Sequence, residues 1–461
     1  AVPRPPPAAG GPLGAVRLLC VFSDCLAYQA ATCHFSLKGK QLWVKLSAAA
    51  RRKAVSGSRS TRRRAAARLQ PLQRNHMGVP STAALCAVVA YVVYPLTQRM
   101  PPPYDGVAAS AVSAADLDLY PGQPGGTPIP PVLEGAWAPN DRLRAATRLF
   151  EGVVAGSESV ATLDGGDLLL VDKFGWVWIS AGGTATPTKT WYVGPGRPLG
   201  FHAHRGKLLV ACSTKGLLEL DLGSGALRIL ANMATDTREP LNYVNDLAVD
   251  GATGDVYFSS STELGVRRDG TRGFYDTMQA YLMNLMRGDH SGRLLKYDAR
   301  TGATTTLAAG LAYANGVALS PDASFAVVAE TNRARLMRVD LATGEMSVFV
   351  DGLPALPDGV TAAADGFWIA GIARPAPVAA KLAPYPALRT LAAHVAPFVF
   401  PVFAKPWSGA LKVGFDGAPL DALYDPTGER VSTMSCVVQH GSRLYLGNLA
   451  GDFVSVVDLG S

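Results

Sequence analysis

Four short phrases place oxygen-bearing side chains at matching points of successive units: Gly156-Ser157-Glu158-Ser159, Val244-Asn245-Asp246-Leu247, Ala314-Asn315-Gly316-Val317 and Pro357-Asp358-Gly359-Val360. Each is followed by a hydrophobic run, a polar turn and a second, stronger hydrophobic run. In a closed array of repeats, equivalent positions point to one common axis, so Glu158, Asn245, Asn315 and Asp358 would meet there. Two carboxylates and two amide carbonyls form an oxygen-rich, acidic set. Such a set suits a hard cation, Ca²⁺ above all, with waters completing ~6–8 ligands. Taken singly, an Asn-Gly or Asp-Gly before a strand marks only a turn, because those residues tolerate left-handed backbone. The recurrence of position in four units is what points to a metal.

Those side chains need a scaffold that repeats. From Arg148 onward the chain divides into six units of propeller-blade length, ~40–50 residues in such folds. Short β-rich runs bounded by Gly, Asp and Pro mean strands, four to a unit, joined by tight turns. Asp221, Asp298 and Asp340 each end a third strand ahead of a Ser-Gly or Thr-Gly hairpin turn. Radial repetition removes most free sheet edges, and six blades lie within the usual range. The expected fold is all-β, a six-bladed β-propeller over 145–461, with the strand Thr147-Arg-Leu-Phe completing the last blade and closing the ring. Two segments interrupt the pattern. Residues 273–289 carry Tyr275, Met278, Tyr281, Leu282, Leu285 and Met286 at helical spacing, and the Ala- and Pro-rich stretch 375–406 carries Leu388, Leu391, Val395, Phe398, Phe400 and Phe403. These predict helical or loop insertions in blades 3 and 5. An apolar insertion on a propeller face packs down over the channel or meets a membrane surface.

The net charge of +7 conceals two opposite halves. Residues 1–100 hold 15 Lys and Arg against one acidic residue, and the remainder holds 28 against 35. The propeller is mildly acidic, which argues against nucleic acid as a partner. Residues 79–96 are apolar and uncharged, close to the ~20 needed to span a bilayer. Basic residues from Arg51 to Arg74 precede them, so positive-inside logic predicts a single apolar anchor helix, with the propeller lumenal or exterior in the endomembrane system. A cleaved signal peptide, with a secreted or vacuolar product, is the alternative reading. Residues 1–76 read as a low-complexity basic leader without periodicity, either a mistranslated leader or a transit-like extension upstream of a natural start at Met77. Residues 97–144 read as a Pro/Gly/Ala-rich linker. Only Cys212 and Cys436 of six cysteines fall in the propeller, so no disulfide framework is implied.

From Leu149 to the end the chain resembles the strictosidine synthase-like family. Gly196-Arg-Pro-Leu-Gly200, Tyr243-Val-Asn-Asp-Leu247, Gly292-Arg-Leu-Leu-Lys-Tyr-Asp298, Asn315-Gly-Val-Ala-Leu-Ser320, Leu356-Pro-Asp-Gly-Val360 and Leu444-Tyr-Leu-Gly447 carry the likeness. The wider superfamily includes gluconolactonases, paraoxonases and phosphotriesterase-type propellers. The resemblance implies a channel Ca²⁺ held by Glu158, Asn245, Asn315 and Asp358. It also implies a glutamate early in the last blade for amine–aldehyde condensation, but Ser435 stands at that place. A serine cannot move a proton near neutral pH as a glutamate of raised pKa can. Phe258-Ser-Ser260 likewise lacks the family's aspartate. Strictosidine synthesis is therefore not expected.

The expected activity is Ca²⁺-dependent hydrolysis of a small-molecule ester or lactone. The cation would polarise the carbonyl, and Asp358 or a metal-bound water would act as base or nucleophile. The competing class is a non-catalytic membrane-anchored propeller with a structural Ca²⁺. No Gly-x-Ser-x-Gly elbow supports a serine hydrolase. His202 and His204, two apart on one strand, read as surface residues at a strand end, and His290 and His440 as structural.

Overall fold

The computed structural model describes the backbone of 30–37 and 40–47. It also describes 93–460 apart from 106–108, 110–113, 164, 271 and 404–405. The chain divides into two units, 1–81 and 82–461. In the first, Ala30–Leu37 pairs with Lys40–Ser47 as an antiparallel hairpin. That pairing differs from the reading of 1–76 as aperiodic; Leu42, Val44 and Leu46 alternate with Gln41, Trp43 and Lys45 at the two-residue period of a strand. The apolar run 79–96 lies outside the described residues up to residue 92. Among the described residues no helix is long and apolar enough to cross a membrane.

The second unit contains six four-stranded antiparallel sheets, the blades of a propeller. Blade 1 begins at Val160, blade 2 at Pro198, blade 3 at Val244, blade 4 at Ala314, blade 5 at Leu356 and blade 6 at Met434. The fourth strand of blade 6 is Thr147–Leu149, which pairs with Val454–Asp458 and closes the ring between the two ends of the propeller sequence. Second strands such as Val256–Ser260 and Phe325–Glu330 are buried along their whole length. Their unbroken Val, Ala and Phe runs belong to sheets covered on both faces. Fourth strands are wet: Thr188–Tyr192 and Met346–Val350 expose most of their residues.

Apolar packing between blades holds the ring together. Val327, Ala329 and Leu336 of blade 4 form one cluster with Phe367, Ile369, Leu411 and Val413 of blade 5. Full burial of a side chain of that size contributes about 1.5–3 kcal/mol. The hairpin aspartates fix the turns. Asp221 accepts from the amides of Gly223 and Ser224, Asp298 from Arg300 and Thr301, and Asp340 from Ala342 and Thr343. Hydrogen bonding holds all three carboxyls below their ordinary pKa, Lys207 being the largest cause for Asp221 and a backbone amide for the other two.

The blade 3 insertion contains helix α1, Thr277–Arg287. Asp276 caps it by accepting from the amides of Met278 and Gln279, and Gly288 ends it in left-handed backbone. The blade 5 insertion folds into α2, Pro377–Leu382, α3, Pro386–Ala393, and α4, Ala396–Phe403. Proline opens α2 and α3, where its missing N–H costs no helical bond. The Pro/Gly/Ala-rich stretch before the propeller packs along it. Met100, Tyr104 and Trp137 are buried, Tyr104 donates to the Gly265 carbonyl, and Tyr424 donates to that of Trp137.

Candidate functional site

The first strands of blades 2 to 6 share one fault at the inner end. Regular pairing with the second strand begins at Val160, Phe201, Leu247, Val317, Val360 and Val437, and in blades 2 to 6 a register shift precedes it. Two residues before each of these stand Glu158, Leu199, Asn245, Asn315, Asp358 and Ser435. A bulge re-aims the side chain at such a point, and here it recurs in five blades, while Glu158 stands just before the regular strand Val160–Thr162 of blade 1. All six residues are buried. The structure therefore sets the four sequence-predicted residues at equivalent points of four blades, with an apolar residue and a serine at the other two.

Short links connect the ring from blade to blade. Ser435 Oγ donates to the Glu158 carbonyl at 2.7 Å. A Cβ on Gly359 would overlap the Ser435 carbonyl, and one on Gly316 would overlap the Val360 nitrogen and the Asp358 carbonyl. Only glycine lets neighbouring inner strands approach this closely.

The two asparagines are oriented by relays of identical design. Asn245 Nδ2 donates to Ser261 Oγ (2.8 Å), which donates to the Ala314 carbonyl of the next blade (2.6 Å). Asn315 Nδ2 donates to Thr331 Oγ1 (3.2 Å), which donates to the Pro357 carbonyl of the next blade (2.7 Å). With each NH₂ directed at a hydroxyl, the amide oxygen is turned the other way. Asn245 Oδ1, Asn315 Oδ1 and Glu158 Oε2 are buried and accept no hydrogen bond. A buried orphan acceptor costs ~1–3 kcal/mol, so three of them in one ring form a set that a cation would satisfy. Among the described residues no three His, Cys, Asp or Glu gather as a metal group. The ring holds two carboxylates, and amides supply its other oxygens.

The electrostatics agree with that fit. Burial, then Asp358, raises the Glu158 pKa well above the ordinary range. Burial lifts Asp358 to about 8 against the pull of a hydrogen bond from Asn315. Asp246, one residue beyond Asn245, is lifted by burial to about 7, although it accepts from backbone amides including Leu247 and Val317. An acid whose pKa is raised on folding binds more protons folded than unfolded. Its contribution is complete below the unfolded value of ~4 and is lost as pH rises through the folded value. The metal-free protein should therefore lose melting temperature between pH 5.5 and pH 8.5, and saturating Ca²⁺ should remove that loss. Melting curves at the two pH values check this; a metal-free melting temperature that holds or rises would contradict it.

Helix α1 covers this end of the channel. Ala280, Leu282 and Met283 of the helix share one apolar cluster with Leu199, Tyr243 and Tyr313, and Tyr281 packs against it. Tyr313 donates to the Tyr243 hydroxyl at 2.7 Å, and the Tyr281 ring meets that of Tyr313 edge-on at 5.1 Å. Burial, then the Asp358 charge, raises the Tyr281 pKa. Arg197 is 2% exposed and donates to the Leu449 carbonyl. Burial lowers its pKa and the Glu158 charge opposes the fall, so a buried cation stands beside the acidic ring.

Ser435 uses its hydroxyl to tie blade 6 to blade 1 and provides no acid. Ser259 and Ser261 point their hydroxyls at Asp246 and Asn245, so the Ser-Ser-Ser run serves the ring. His202 is exposed, His204 ends the same strand, and His290 lies 2.9 Å from Arg333. The sequence reading missed Ser261 and Thr331. Both follow their asparagine by 16 residues, a spacing that could have revealed them.

Comparison with known proteins relates this six-bladed propeller to one family. A strictosidine synthase family model matches residues 245–345. The adipocyte plasma membrane-associated protein of Homo sapiens is 32% identical over 366 residues, covering 72% of this chain and 82% of that protein. The strictosidine synthase-like 4 protein of Arabidopsis thaliana is 29% identical over 341 residues, covering 72% and 86%. Among solved structures, a gluconolactonase of Xanthomonas campestris is similar with a TM-score of 0.48 and 18% identity, over 71% of this chain and 94% of that one. The chain belongs to the strictosidine synthase-like family, in the branch of the adipocyte plasma membrane-associated proteins.

Proposed function

We propose that Glu158, Asn245, Asn315 and Asp358 hold one Ca²⁺ on the propeller axis, and that the protein hydrolyses a small ester or lactone there. The observation that carries this reading is the pair of relays that leave Asn245 Oδ1 and Asn315 Oδ1 buried and without a hydrogen bond. Bound Ca²⁺ would supply a Lewis acid for the carbonyl and for the oxyanion that develops on it. Asp358 is assigned the role of base, Tyr281 and Tyr243 line the approach, and α1 keeps bulk water off the ring. Amine–aldehyde condensation is not proposed, because Ser435 offers no acid. The second reading, a structural Ca²⁺ in a binding protein, draws support from the same helix, whose apolar side seals the channel end.

Activity separates the two readings. The purified full chain should hydrolyse phenyl acetate or γ-butyrolactone with Ca²⁺ and lose that turnover in chelator. Asn245→Ala should abolish turnover while the folded circular-dichroism spectrum remains. Ca²⁺ binding without turnover on an ester and lactone panel would leave the structural reading in its place. We propose further that 79–96 anchors the protein in endomembranes with the propeller lumenal, as the basic residues before that run favour. Protease added to intact microsomes should then spare the propeller, and digestion without detergent would reverse the orientation.

A further inference from the structure

The blade 5 insertion exposes an unusual amount of apolar surface. Phe398 is 78% exposed, Val378 63%, Tyr385 55%, Val395 52% and Leu388 47%, all on the short helices α2 to α4 or the links between them. Exposed apolar side chains concentrated in one insertion mark an interaction surface. Its charge narrows the partner: between Asp365 and Asp416 there is no acidic residue, while the exposed Arg374 and Lys381 lie in that span.

The path of the chain narrows it further. The uncharged run 79–96 delivers the chain to Arg99, whose carbonyl lies 3.0 Å from Nε2 of His394, directly after α3. The next residue, Met100, is buried in the same cluster as Ala393 of α3 and Met283 of α1. The chain just beyond that apolar run is therefore tied to the helices that expose Phe398 and Leu388. Insertions between second and third strands lie at the end of each blade where first strands begin, which is the end that carries the ring.

We infer that the exposed side of α2 to α4 rests on a lipid bilayer surface, so that the ring end of the propeller faces the membrane. Aromatic and aliphatic side chains beside basic residues, with no acid among them, match an interface of acyl chains and anionic headgroups. A ligand reaching the ring would then arrive from the membrane side, and amphiphilic esters would be favoured over fully soluble ones. The surface assignment stands on geometry and charge and does not require the hydrolase reading.

Photolabelling of the full chain tests it. The protein is incorporated into phosphatidylcholine–phosphatidylserine vesicles doped with a phosphatidylcholine that carries a diazirine in its acyl chain. It is then irradiated, and labelled peptides are mapped by mass. Adducts are expected in peptides spanning 385–403 as well as before residue 97. Phe398→Ser/Val399→Ser should reduce those in 385–403 severalfold while leaving the Ca²⁺-dependent melting shift unchanged. Adducts confined to residues before 97, protection of 385–403 by the amino-terminal segment or a second copy, or failure to join vesicles would each overturn the inference. Labelling of 385–403 in a protein without esterase activity would uphold the surface while removing the hydrolase.

Discussion

Replacing Ser261 by Ala is expected to weaken Ca²⁺ binding by ~10–100-fold, the usual cost of losing a partner that orients a metal ligand. Ser261 offers the cation nothing itself. Its hydroxyl holds the Asn245 amide at 2.8 Å and passes the bond on to the Ala314 carbonyl. Without it the amide can rotate, and the oxygen is no longer fixed toward the axis. Thr331→Val should act in the same way on Asn315, because its shape is kept and only the hydroxyl is removed. Asn245→Ala should cost more than either, since it removes the oxygen as well as its orientation. Calorimetric titration of the three variants orders them. Equal affinity for Ser261→Ala and the natural protein would mean that the relay does not position a ligand.

Gly316→Ala should be the most damaging single methyl in the inner wall. The new Cβ would overlap backbone atoms of Val360 and Asp358, and backbone has no flexible end that can move aside. Inner strands of blades 4 and 5 would have to separate, at about 3 kcal/mol or more by analogy with overpacked cores. Asn315 and Asp358 sit on those two strands, so the damage reaches the ring. The expected result is a melting temperature lowered by several degrees together with loss of the Ca²⁺ response. Gly251→Ala supplies the comparison: its backbone is not left-handed and its added Cβ meets open space. A Gly316→Ala protein that melts and binds as before would show that the strands do not meet as closely as described.

Much of this arrangement can be read along the chain because the propeller repeats. Glu158, Asn245, Asn315 and Asp358 declare themselves by position, and a bulge recurs at the last three. Leu199 occupies the same ring position but carries no chemistry, so nothing drew attention to it. The outer strand Thr188–Tyr192 escaped the sequence reading, because a wet edge lacks the hydrophobic run by which a strand is recognised. The relays escaped for another reason. A Ser or Thr after a strand is commonplace, and the 16-residue interval gains meaning only when pairing places that hydroxyl beside the amide. Helix α1 was visible in the spacing of Met278, Tyr281, Leu282 and Leu285. Its place over the ring was not, because docking depends on Leu199, Tyr243 and Tyr313 from other blades.

The account rests on a cation at the axis, and calorimetric titration of the chelator-treated full chain with Ca²⁺ tests that most directly. One Ca²⁺ per chain should bind, and at a hundredfold excess over the dissociation constant the folded state should gain about 2.7 kcal/mol, seen as a rise in melting temperature. No binding heat at millimolar Ca²⁺, with a melting temperature that chelator leaves unchanged, would contradict it.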